Sequence, residues 1–382
     1  MRIGHVVTLI SPDGAYGGPV RVAINQAKAL IALGHQVTVF AATRGFVTLP
    51  AEIDNVPVRL FRVTATIPGT GFAGMMSIGM MAAIIQERST IDLWHVHLAR
   101  DLITLPIATY LRSTGRPYVA QCHGMIDETN KRLAQPMDRY LAVPALRSAS
   151  SVLTLTPREE KSLRNVAGPR LSILRIPNGV PALGMRPKEV RNELEVLFLA
   201  RLQLRKRPLH FVESALALSN ESPHVHFSLV GPDEGQGRRV SERIAEAGME
   251  RTIHWEGPLP PNATLSRMAR ASIYVLPAVD EPFPMSVLEA MSLGVPVIVT
   301  DSCGLAPYIA SANAGIVVDD EQESLTTAIR SLLKDDARRV ALGANARKLI
   351  VDEFSITSVA QLLSAKYSEV IHQYQPKSVD IS

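Results

Sequence analysis

Glu281-Pro-Phe-Pro-Met-Ser-Val-Leu-Glu289-Ala-Met-Ser-Leu-Gly294-Val-Pro-Val-Ile-Val299-Thr-Asp301 is the stretch from which the rest of the chain can be read. Two carboxylates stand eight positions apart, one ahead of a helix and one inside its first turns. Pro284 suits a helix start, because its ring fixes φ and its missing N–H costs nothing there. Gly294 stops the helix, and Val295–Val299 then reads as a buried strand. The backbone N–H groups of Met285 and Ser286 are left without intrahelical acceptors and are placed to receive an anion, phosphate above all. A carboxylate on either side would accept hydrogen bonds from sugar hydroxyls. Phosphate donors flanked by hydroxyl acceptors are what a nucleotide-sugar requires. A plain helix N-terminus with two incidental acids is the competing reading of this segment taken alone.

Outward from that segment the second half alternates strands and helices. Strands are expected at Glu195–Ala200, His224–Val230, Thr252–Glu256, Ile273–Leu276 and Gly315–Val318, with helices such as Pro208–Ser219 and Gly237–Ala247 between them. The first half has the same rhythm. Its strands are expected at Ile3–Ile10, Gln36–Ala41, Asp92–His97, Tyr118–His123, Ser151–Thr156 and Leu171–Ile176, with helices at Pro19–Leu33, Asp101–Ser113, Met137–Ser148 and Arg158–Val166. Such alternation implies parallel sheets covered on both faces. The turn-rich run from Pro177 to Pro187 marks a linker. At 382 residues two domains are the better expectation. The fold class is therefore α/β, with two Rossmann-like doubly wound domains, 1–180 and 181–354, facing across a cleft and binding ligands beyond the carboxyl ends of their strands.

Composition excludes several classes. Cys122 and Cys303 are the only cysteines and form no CxxC, which argues against a disulfide scaffold or a zinc site and fits a reducing, cytoplasmic setting. The apolar run Ile3–Val7 is too short for a signal peptide, and no stretch has the length and hydropathy of a membrane span. Residues 1–180 carry a formal charge of +8 and residues 181–382 carry −4. The basic half suggests an anionic partner such as a bilayer surface or a lipid-phosphate acceptor; solvated basic helices are the bland alternative. The uncharged run Phe72–Ile85, with its four methionines, either lies on such a surface or is a buried helix.

Ala200-Arg-Leu-Gln-Leu-Arg-Lys-Arg207-Pro places four cations in seven positions at the carboxyl end of the second domain's first strand. A forked guanidinium at Arg201 and a point charge at Lys206 both suit phosphate oxygens. Ser11-Pro-Asp-Gly-Ala-Tyr-Gly17-Gly18 joins the first strand to its helix but is not GxGxxG. The second strand ends without an acid for a ribose, so a nicotinamide-binding reading fails. His95 and His97 share one strand face, which makes a metal site conceivable, yet no carboxylate or cysteine at ligand spacing supports one.

The Glu281–Glu289 segment and the Arg201…Lys206 pair resemble the Glu-x7-Glu and Arg-x4-Lys motifs of glycosyltransferase family 4, retaining enzymes of GT-B fold that use nucleotide-sugar donors. The resemblance spans nearly the whole chain and is strongest from Leu197 to Tyr308. Pro282-Phe283-Pro284 departs from the family's usual Gly-Phe-Gly and removes two main-chain donors. The resemblance implies that Arg201 and Lys206 clamp the diphosphate, that Glu281 binds a hydroxyl of the transferred sugar and that Glu289 binds the ribose. It also implies that His123, in Gln121-Cys-His-Gly124, contacts the donor sugar. Gly17, Gly18, Gly231, Gly257, Leu259, Phe283, Met285 and Ser286 would complete the donor site. Helix 355–376 would cross back to the N-terminal domain. No Asp-x-Asp is present, and two cations can do a metal's work, so no metal or other cofactor is expected. The expected activity is transfer of a sugar to a hydroxyl of a glycan or lipid-linked acceptor, in the cytoplasm or on the inner membrane face, with no nucleic acid as partner. A nucleotide-sugar epimerase of the same architecture and a non-catalytic nucleotide-sugar-binding protein are the rivals.

Overall fold

The structure, a computed structural model, describes residues 1–12, 17–129, 134–182 and 193–374. Residues 13–16 of the expected Gly-containing turn, residues 183–187 of the expected linker and the last eight residues lie outside that set. The chain divides into two compact units, Met1–Gly179 with Ile356–Ser382, and Val180–Ser355.

The first unit is built on an eight-stranded sheet. Its order is Ile173–Arg175, Ser151–Thr154, Tyr118–Gln121, Leu93–His97, Arg2–Ile10, Gln36–Thr43, Val56–Arg62 and Glu52–Ile53. Every pairing is parallel except the last, which is antiparallel. The chain leaves Arg2–Ile10 on one side for Gln36–Thr43 and later returns on the other side as Leu93–His97, so the winding reverses between these two central strands. Parallel strands covered on both faces carry near-continuous apolar runs, and Arg2–Ile10 is buried along most of its length. Alternate residues feed two cores. Val6, Phe40, Trp94 and Val96 face one way, while Ile3, Val7, Val39 and Leu93 face the other. The second core is closed by the helices Gly17–Ala32 and Ile356–Tyr374, the latter burying Val359, Ala360, Leu363, Tyr367 and Val370.

The reading of this unit needs correction at three places. Val56–Arg62 is a strand and was not expected. The helix expected at Met137–Ser148 is three short pieces: Ala134–Met137, a π-helical turn Asp138–Ala142, and Val143–Ser148. Pro144 has no N–H for the carbonyl four residues back, so the helix cannot run through it regularly. Phe72–Ile85 is not one apolar surface. It contains a short 3-10 turn, a two-residue strand and the start of helix Ile78–Glu87, which buries Met80, Ala83 and Ile84 but leaves Ile78 70% exposed.

The second unit has six parallel strands in the order Ile253–Trp255, Val225–Val230, Leu194–Leu199, Ile273–Leu276, Val297–Thr300 and Gly315–Val318. Counted along the unit that order is third, second, first, fourth, fifth, sixth. It is the order of dinucleotide-binding sheets, whose ligand site lies where the first and fourth strands part.

Candidate active site

The second unit's reversal point collects the charged residues expected to hold a diphosphate. Beyond Leu199 the chain makes a 3-10 turn, Leu204–Lys206, and then helix Pro208–Ser219, with Arg207 left-handed at φ 54° as the pivot. Beyond Leu276 the chain reaches Glu281. The two segments are tied together, since Val279 N–H donates to Arg205 O at 3.0 Å. Lys206 Nζ lies 2.6 Å from Glu281 Oε2, with the side chains only 11% and 12% exposed. Arg205 adds a second contact to the same carboxylate at 3.4 Å. Burial pulls the Lys206 pKa below its usual value, and Glu281 opposes that pull. Arg201 Nη1 is held by both oxygens of Glu234, at 2.8 and 3.0 Å. Each cation of the expected clamp therefore rests against a carboxylate.

The helix after Glu281 runs Met285–Ser292, so Pro284 is its N-cap rather than its first residue. Its start is fastened to the sheet through Tyr274, whose hydroxyl oxygen lies 3.0 Å from Leu199 O and 2.8 Å from Ser286 Oγ. Met285 and Glu289 are buried, and the Phe283 ring is buried edge-on against Phe354 with centroids 5.8 Å apart. What Phe283 can offer a ligand is its main chain.

Gly231 and Gly257 lie at the ends of neighbouring strands, and Gly231 N–H donates to Gly257 O at 2.8 Å. At Gly231, φ is 145° and a Cβ would stand 2.0 Å from Ala200 O, so glycine is required by close approach of the first strand. Leu259 is half-buried beyond them. The loop from Glu256 is anchored by Arg267, which bonds Glu256 Oε2 at 2.9 Å and Glu195 Oε2 at 2.9 Å. Asp233 is occupied with capping, accepting from the N–H groups of Gly235, Gln236 and Gly237.

In the first unit the strand ends at Gln121, and His123 sits past it in a left-handed turn, φ 53°, followed by Gly124 at φ 70°. A non-glycine residue there costs about 1–2 kcal/mol and such residues cluster at functional sites. The buried Glu159 holds the turn, accepting from Gly124 N–H and Leu155 N–H, each at 2.7 Å. Burial lowers the His123 pKa to about 3, so the ring is neutral at pH 7. Gly17 opens helix Gly17–Ala32; at Gly18 a Cβ would meet nothing within 4 Å, so no internal contact demands glycine there.

Of the basic residues expected on the first unit, Arg164 and Arg175 both pair with Glu160. Among the described residues no helix is long and apolar enough to cross a membrane.

The residues that sequence reasoning missed are partners: Glu234 for Arg201, Glu159 for the His123 turn, Arg267 for Glu256 and Tyr274 for Ser286. Each lies 11 to 35 positions away from the group it serves. No local spacing signals such pairs; only the strand order brings them together.

Residues 185–349 match the family described as glycosyl transferases group 1, and residues 17–179 match the glycosyl transferase 4-like domain. The chain belongs to this group of glycosyltransferases. It is 26% identical over 391 residues to the 2-deoxystreptamine glucosyltransferase of Streptomyces kanamyceticus, covering 91% of this chain and 98% of that protein. It is 24% identical over 419 residues to the D-inositol 3-phosphate glycosyltransferase of Corynebacterium aurimucosum, covering 97% and 96%. Among solved structures, Anabaena HepE in complex with UDP and glucose has a TM-score of 0.78 at 19% identity, covering 97% of this chain and all of that one. This glycosyltransferase therefore has the GT-B fold of two parallel-sheet α/β domains.

Proposed function

We propose that this glycosyltransferase moves a sugar from a uridine diphosphate donor to a hydroxyl of a glycan or lipid-linked acceptor, with retention at the anomeric carbon. The observation that carries the donor assignment is the buried Lys206–Glu281 pair at the reversal point of the second sheet. Lys206 and Arg201 meet the diphosphate, exchanging their resting carboxylates for phosphate oxygens. Glu281, once released, accepts from a hydroxyl of the transferred sugar, and Glu289 from the ribose. Met285 and Ser286 offer main-chain N–H groups. Uridine is favoured because HepE is known with UDP and with UDP-glucose.

In the reaction the bond from the anomeric carbon to the phosphate oxygen breaks, and a bond to the acceptor oxygen forms on the same face. The acceptor proton passes to the departing phosphate. Charge on the diphosphate grows as that bond breaks, so Arg201 and Lys206 stabilise the transition state more than the ground state. Two side-chain cations supply the neutralisation a metal would otherwise give. His123, from the first unit, touches the donor sugar. The basic first unit takes the acceptor, and the exposed Ile78 end of helix Ile78–Glu87 favours a lipid-linked one at an anionic surface.

Lys206→Ala should cut turnover by more than about 100-fold, the scale for losing one charge-stabilising donor. Turnover within a few-fold of wild type would end the clamp role. A thermal-shift screen of UDP-, GDP- and ADP-sugars tests the base, since the tightest ligand raises the melting temperature most.

A further inference from the structure

The donor chemistry leaves three buried histidines, His5, His95 and His97, without a purpose. His5, in the strand Arg2–Ile10, is paired in register with His95 of Leu93–His97, where the winding of the first sheet reverses. His97 ends its strand and His123 follows the next one. His5 Nδ1 is 3.0 Å from His97 Nε2 with ring centroids 5.3 Å apart. His97 Nδ1 is 2.7 Å from His123 Nε2 with centroids 5.0 Å apart and planes within 3°. Those separations are those of rings joined end to end through N–H···N bonds.

A shared metal ion is the other reading of His5, His95 and His97, whose nitrogens come within 4.8 Å of one another. It needs lone pairs that converge. The His95 and His97 rings are stacked at 4.4 Å and 10°, so their in-plane lone pairs run side by side. His95 Nδ1 is moreover engaged with the Tyr367 hydroxyl at 2.6 Å. The geometry favours the hydrogen-bonded line.

A neutral imidazole carries one N–H and one lone pair. Burial lowers His5 and His123 to about 3 and His97 well below its usual value, so all three are neutral at pH 7. Three neutral rings in line allow two proton arrangements. In one, His5 donates to His97 and His97 to His123, leaving an N–H on His123 Nδ1. In the other every bond reverses, leaving an N–H on His5 Nε2. That atom is buried and has no partner. An orphaned buried N–H is rarer than an orphaned acceptor, so the first arrangement wins. We propose that His5 and His97 are positioning residues that hold His123 as the Nδ1–H tautomer, so that it meets the donor sugar as a hydrogen-bond donor. The functional half of this statement rests on His123 touching the sugar; the tautomer does not.

The test is a two-bond proton–nitrogen correlation spectrum of the full-length protein with nitrogen-15 histidine at pH 7, with His123 identified from a His123→Gln sample. The expected pattern has the proton on Nδ1. A proton on Nε2, or an equal mixture, overturns the proposal without any variant of the line. His97→Leu should give mixed His123 tautomers and lose about tenfold in kcat/KM, the scale of one net hydrogen bond. His97→Gln, which keeps a donor amide, should restore most of both. An unchanged tautomer in His97→Leu would overturn the proposal; should that variant not fold, His5→Phe asks the same question from the far end. Unaltered turnover in His123→Ala would end the sugar contact while leaving the tautomer result standing.

Discussion

Lys206 and Glu281 are 75 positions apart in sequence and 2.6 Å apart in space. A buried pair of this kind stabilises little in itself, but removing one partner leaves an uncompensated charge. Glu281→Gln would strand Lys206 beside Arg205, and should lower the unfolding free energy by about 2–4 kcal/mol in the ligand-free protein. A diphosphate brings its own negative oxygens to the same cation, so saturating UDP should recover much of the loss. Urea titrations with and without UDP check this; an equal deficit in both would mean that the ligand never reaches Lys206. The two charges themselves were legible, because each follows a strand end at a recognisable spacing. Their resting embrace was not, since nothing near either residue points to the other. The same holds for Arg201 and Glu234.

Strands explain what could be read and what could not. Ile273–Leu276 and Gly315–Val318 were read to the residue because short apolar runs between turn signals admit little else. Val56–Arg62 was missed although its burial alternates, because Pro57 and two arginines argue against a strand. Pro57 is tolerated because it precedes the pairing with Gln36–Thr43, which begins at Val58, and meets only the two-residue edge strand Glu52–Ile53. Strand order lay beyond any periodicity, and strand order makes the site: it sets Leu199 beside Leu276 and forces Gly231 against Ala200. Gly231→Ala should therefore cost at least about 2 kcal/mol, as backbone clashes at special φ do. Splaying the first two strands of the second unit would also weaken the UDP-dependent rise in melting temperature. A variant with wild-type stability would show that the strand ends can part freely. Arg267→Met acts on the same element from outside, leaving Glu195 and Glu256 without their common cation. It should cost about 3 kcal/mol, read as a fall in the urea midpoint at pH 7.

Across the whole molecule the two units should answer acid differently. His5, His95, His97 and His123 all lie in the first unit, each with its pKa lowered chiefly by burial, His5 and His123 to about 3. The unfolded chain binds protons at these sites below about pH 6.5 while the folded unit does not. The stability they allow is thus whole above pH 6.5 and is lost as pH falls towards 3, at about 1.4 kcal/mol per pH unit for each ring. Asp101 and Glu159, whose pKa values burial raises, act in the opposite sense, because their penalty is relieved as they protonate. They are two groups against four, and their relief runs from their raised folded pKa values down to the ordinary carboxylate range. The second unit has no comparable cluster among its described residues; Glu256, held low by Arg267, loses its contribution only as pH falls below the ordinary carboxylate range. Acid should therefore loosen the first unit ahead of the second. The helix Ile356–Tyr374 makes the distinction visible, because it follows the second unit in sequence yet seals the histidine face of the first, with Tyr367 on His95. Hydrogen exchange at pH 4.5 should show 356–374 losing protection together with 2–10 and 93–97, while the adjacent helix Asp336–Glu353 stays protected. If helix Ile356–Tyr374 instead opened together with Asp336–Glu353, neither the histidine cluster nor the first unit's core would be what holds it.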